Sequence, residues 1–83
     1  MSFKLNPHPF YEMREVRLKL GISQKEIAGI MYLQKKAITQ IESGGTRPTG
    51  ASTILYGIVL EGICKDRGTT FEDVLKAQEL QAV

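Results

Sequence analysis

QKEIAGIMYLQKKAITQIESG, running from Gln24 to Gly44, is the stretch whose reading decides the fold. Ile27, Ala28, Met31, Leu33, Ile38 and Ile41 recur at the spacing that gathers apolar side chains on one side of a helix. The pattern breaks around Tyr32 and Leu33. Two short helices joined by a tight turn follow from it. Ala28 falls where the two would cross, and its small side chain lets the backbones approach, while Ile27, Met31, Ile38 and Ile41 fill the seam. On the second helix Lys35, Lys36, Thr39, Gln40 and Ser43 then share one outward face.

Capping signals frame this pair on both sides. Ser23 with Glu26 three residues later reads as a capping box, in which each side chain satisfies the other's orphan backbone N–H. Before it, Tyr11, Met13, Val16, Arg17 and Leu20 lie on a first helix. That helix starts near Pro9, where a missing N–H costs nothing, and stops at Gly21. The third helix is expected over 34–43, ended by Gly44-Gly45. Thr46-Arg47-Pro48-Thr49-Gly50 reads as a loop. A fourth helix starts at Ala51 or Ser52 and reaches about Lys65; Thr70 and Asp73 open a fifth. No stretch alternates as a strand would. The expected class is all-α, a compact bundle of about five helices in a single domain over 1–83. Residues 1–8 are expected to form a mobile arm, and 68–83 a C-terminal helix available for dimerisation.

The net charge of the 83 residues is only +2, but its distribution is uneven. From Arg14 to Arg47 seven basic residues (Arg14, Arg17, Lys19, Lys25, Lys35, Lys36, Arg47) face three acidic ones (Glu15, Glu26, Glu42). From Gly68 onward the balance is acidic. A basic centre suits a surface that meets a polyanion. Cys64 is the single cysteine, which excludes an intramolecular disulfide, and its apolar surroundings make it a buried, inert thiol. No secretory leader pattern follows Met1, and the apolar run from Ile54 to Cys64 is about half a membrane span. A soluble cytoplasmic protein is expected. His8 stands alone, so no metal site and no cofactor are expected. One histidine and one cysteine far apart supply no nucleophile–base pair, so catalysis is not expected.

What the outward face of the third helix can do is read DNA. Lysine donates to guanine O6 and N7, glutamine bridges adenine N6 and N7, and threonine offers a hydroxyl and a methyl. Lys35, Lys36, Thr39 and Gln40 are therefore the candidate base contacts of a helix-turn-helix. Ser23 and Gln24, at a helix N-terminus, and Ser43, Thr46 and Arg47, around the glycine loop, are the candidate phosphate contacts, which orient without reading sequence.

The run RLKLGISQKEIAGIMYLQKKAITQIESGGTRP, Arg17 to Pro48, resembles the helix-turn-helix domain of the phage repressor and Cro family, the XRE-like regulators. The matching residues are Arg17, Gly21-Ile22-Ser23-Gln24, Glu26-Ile27-Ala28, Ile38, Ile41-Glu42, Gly44 and Pro48. The resemblance implies a lambda-repressor-like fold and double-stranded DNA as partner. It makes Gln24 the phosphate-binding glutamine and places Lys35, Lys36 and Gln40 at base edges. It also implies that Arg17 and Glu42 form a partly buried structural ion pair. The sequence departs from the family at Tyr32, where glycine is usual in the turn; a left-handed tyrosine there costs roughly 1–2 kcal/mol. Gln34 replaces the usual small N-cap, and Gly29 sits in mid-helix. Ile30, usually polar in the family, is expected to pack against the N-terminal segment, for example Phe10.

The fourth helix is apolar nearly all round, with Glu61 the one acidic side chain before its last turn. Such a helix needs cover on more than one side. Burial within one chain and a homodimer interface built with the fifth helix both satisfy that need. Two functions follow. One is a sequence-specific regulator, a repressor binding a two-fold operator as a homodimer, bacterial or phage-encoded, with no small-molecule ligand. The other is the antitoxin half of a toxin–antitoxin pair, holding a toxin protein as well as or instead of DNA.

Overall fold

The structure, a computed structural model, describes residues 8–45 and 50–77. They form five helices and, among the described residues, no strand: α1 (Phe10–Leu20), α2 (Gln24–Ile30), α3 (Lys35–Glu42), α4 (Ala51–Asp66) and α5 (Phe71–Lys76). The Ser23–Glu26 capping box is formed in both directions, with Glu26 N donating to Ser23 Oγ at 3.0 Å and Ser23 N to Glu26 Oε1 at 2.8 Å. At α5 only half of the arrangement exists: Thr70 Oγ1 accepts from Asp73 N. Helix α3 is shorter than 34–43 by one residue at each end, because Gln34 and Ser43 are its caps, and the Gln34 side chain makes no cap bond.

Four helices stop by the same device. After α1 the N–H of Ile22 bonds back to Arg17 O and that of Gly21 to Leu18 O. The same pair of bonds closes α2 through Leu33 and Tyr32, α3 through Gly45 and Gly44, and α4 through Thr69 and Gly68. This is the Schellman arrangement, and it needs one residue in the left-handed region. Gly21, Gly44 and Gly68 supply it at φ of 77°, 82° and 77°; after α2 the residue is Tyr32, at φ 58°. Gly44 is required twice over, since a Cβ there would lie 3.1 Å from the Phe10 ring.

Helix α1 organises the packing, touching α3, α4 and α5, while α2 packs on α3 and α5 on α4. Met13, Val16 and Leu20 of α1 meet Ile27, Ala28 and Met31, Ile38 and Ile41, Tyr56, Leu60 and Cys64, and Phe71 in one core. Burial raises the Cys64 thiol above its ordinary range, which keeps it protonated and unreactive. Long side chains tie down helix ends: Lys19 Nζ reaches Leu75 O and Ala77 O at 2.8 and 2.6 Å. Arg67 Nη1 reaches Leu20 O at 2.8 Å. Cations at C-terminal carbonyls also suit the negative end of the helix dipole.

Two expectations change. Ile30 does not pack against Phe10: it stays 53 % exposed, and Phe10 lies over Gly44 instead. The expected arm does not extend to residue 8; residues 1–7 lie outside the described residues. The His8 ring stacks on Phe71 with centroids 3.7 Å apart, and its Nε2 is 2.5 Å from Glu61 Oε2. Helix α4 buries Thr53, Tyr56, Gly57, Leu60 and Cys64 and leaves Leu55 and Ile58 about half exposed.

Candidate nucleic-acid interface

The geometry of this surface is set from below by one carboxylate. Glu42, at the end of α3, is 6 % exposed and accepts four hydrogen bonds. Arg17 Nε and Nη2 donate to it at 2.6 and 3.1 Å, and Gln24 Nε2 at 3.0 Å. Tyr56 Oη donates the fourth, a short bond to Oε2. A carboxylate has about four lone-pair sites, so every one is used. Arg17 Nη1 also donates to Ile22 O at 2.7 Å. One buried ion pair thus joins α1, the loop after it, α2, α3 and α4.

The electrostatics are self-consistent. Burial alone would raise the Glu42 carboxyl, but the hydrogen bonds from Arg17, Tyr56 and Gln24 outweigh it and hold the carboxyl below its usual range. Burial alone would lower the Arg17 guanidinium, and Glu42 reverses that as well. The Tyr56 phenol is pushed far upward, by burial first and then by its bond to the carboxylate. At neutral pH it is therefore a donor. Tyr56 was not legible as a site residue in the sequence, where it reads as one more apolar position of α4. The usable signal is that a buried tyrosine needs a partner for its hydroxyl.

Above this network lie the candidate contact residues. Lys35, Lys36 and Gln40 are exposed on α3, and their side-chain polar atoms make no hydrogen bond or ion pair within the described residues. Thr39 is exposed too, but its hydroxyl hydrogen points inward, to Gln24 Oε1 or Lys35 O, both at 3.2 Å. Its methyl and lone pairs are what remain for a base. Gln24 gives one amide hydrogen to Glu42 and its oxygen to Thr39, leaving one N–H for a phosphate. The Ser23 oxygen and N–H are both engaged by Glu26, leaving its hydroxyl hydrogen. The bond from the Ser23 backbone N–H, first of all, holds the Glu26 carboxyl below its usual range, so a negative charge sits at the α2 N-terminus at neutral pH. Ser43 donates its hydroxyl to Gln40 O at 3.1 Å. Thr46 and Arg47 lie outside the described residues.

Two of the seven basic residues counted in the sequence, Arg17 and Lys19, are committed internally. Among the described residues the exposed positive charge of this region is carried by Arg14, Lys25, Lys35 and Lys36. Between Glu26 and Glu42 the chain holds no acidic residue. Among the described residues no group of histidine, cysteine or acidic side chains is placed to hold a metal ion, and no helix is long and apolar enough to cross a membrane.

A helix-turn-helix family model matches residues 13–52, the segment from α1 into the first turn of α4. The chain matches no curated protein and no solved structure.

Proposed function

We propose that the chain is a DNA-binding transcription regulator of the XRE, Cro/C1-like type, which the helix-turn-helix family match over residues 13–52 supports, and that it acts as a repressor. In this reading it binds a two-fold operator as a homodimer, with α3 in the major groove. Lys35, Lys36 and Gln40 read base edges, assisted by the methyl and lone pairs of Thr39. Gln24 and Ser23 approach the backbone with one hydrogen each; Ser43, Thr46 and Arg47 are assigned to phosphates from sequence. The observation that carries the reading is the contrast on α3. Its inner side is locked through Glu42, while Lys35, Lys36 and Gln40 on its outer side have no partner among the described residues.

Leu55 and Ile58, one turn apart on α4 and about half exposed, support a second copy as the cover for that face. The antitoxin reading assigns the same face to a toxin protein. Titrating the protein with a fluorescein-labelled duplex from the DNA upstream of its own gene, at several salt concentrations, tests the proposal. Specific binding that weakens steeply with salt, and is lost in Lys35→Ala/Lys36→Ala, is expected. Absent or salt-insensitive binding sinks it and leaves the protein-partner reading.

A further inference from the structure

Tyr32 is the one residue other than glycine with a left-handed backbone among the described residues. It closes α2 with the same hydrogen bonds that glycine supplies after α1, α3 and α4. Its side chain is 95 % exposed. The fold therefore gains almost nothing from the ring in return for the strain, and glycine would close the same turn more cheaply. An outlier that intramolecular packing does not repay points to a use outside the molecule.

The neighbourhood says what kind of use. Tyr32 stands three residues before Lys35, at the N-terminal end of α3, the end of a recognition helix that approaches base edges. The fifteen residues from Ile27 to Ile41 contain two lysines and no acid. A phenol hydroxyl donates readily to a phosphate oxygen, and tyrosine is among the side chains that contact the DNA backbone.

We propose that Tyr32 is a backbone-contact residue, its hydroxyl donating to a phosphate at the edge of the groove that α3 enters. This rests on the DNA-binding reading above. The strained turn then serves to present an exposed phenol beside the start of α3, where a glycine closes the turn and offers no side chain.

Stability and affinity are then predicted to move in opposite directions. Wild type, Tyr32→Gly and Tyr32→Phe are compared by thermal melting and by anisotropy titration with the labelled upstream duplex. Tyr32→Gly is expected to melt higher than wild type yet bind roughly tenfold or more weakly, the scale of a lost hydrogen bond to a charged group. Tyr32→Phe, which keeps the ring and the strain, is expected to show most of that loss with an unchanged melting temperature. Equal affinity of wild type and Tyr32→Gly overturns the proposal while leaving the DNA reading intact. Full affinity in Tyr32→Phe with loss in Tyr32→Gly overturns the phosphate bond. A wild-type protein that binds no duplex even at low salt overturns the DNA reading and this inference together.

Discussion

Replacing Tyr56 by phenylalanine deletes one oxygen from the centre of the Arg17–Glu42 network and changes nothing else. The ring is fully buried, so the packing it provides is kept. What is lost is a short bond from a neutral donor to an ionised carboxylate, a class worth about 1.5–3 kcal/mol. The acceptor is not orphaned, because Arg17 Nε still donates to the same Glu42 oxygen at 2.6 Å. That places the cost at the lower end, about 1.5–2 kcal/mol. For a chain of this size the corresponding fall in melting temperature is roughly 10 °C.

The pH dependence adds an independent check. The Glu42 carboxyl in the folded chain sits below the ordinary 4.5, so the ionised form is the one the fold stabilises. Its contribution is therefore complete above about pH 4.5 and is lost as pH falls through the lowered value. Removing the Tyr56 donor shrinks the downward shift, so the variant's acid unfolding begins at higher pH than the wild type's. Urea denaturation at neutral pH and an acid titration followed by circular dichroism measure both effects. A Tyr56→Phe protein within about 0.5 kcal/mol of wild type, with an unmoved acid transition, refutes the network as described.

Glu42→Ala should cost more, about 3–5 kcal/mol, because Arg17 is then buried without a counter-charge; chemical denaturation measures it. Ser23→Ala breaks the capping box and should cost about 1 kcal/mol by the same method. Tyr32→Gly should raise stability by roughly 0.5–1 kcal/mol, the relieved strain less the entropy of the added glycine. Leu55→Lys/Ile58→Lys should shift sedimentation from dimer to monomer, and a wild type already monomeric contradicts the proposed interface.

Much of the fold was legible because its determinants are local. The Ser23–Glu26 box, the stop glycines at 21, 44 and 68 and the helical spacing of the apolar residues all act within a turn or two of chain. What was not legible is held by long-range partners. Lys19 satisfies carbonyls of α5's end, Arg67 caps α1, and His8 meets Glu61, each across more than forty residues. None leaves a periodic trace in sequence. Ile30 stays half exposed for a related reason: Phe10, the neighbour its apolar character suggests, lies over Gly44 instead. The candidate contacts on α3 follow directly from helical spacing. The inward commitments of Gln24 and Thr39 do not, because they depend on where the Glu42 carboxylate lies.

The most direct test of the proposed DNA-binding face is a nuclear magnetic resonance titration of isotope-labelled protein with the upstream duplex, following every backbone amide. Shifts concentrated in the first turn of α2 and along Lys35–Ser43, with Phe71–Lys76 unmoved, are predicted. Shifts centred on Leu55 and Ile58, or none at all at low salt, would contradict the assignment of α3 as the recognition helix.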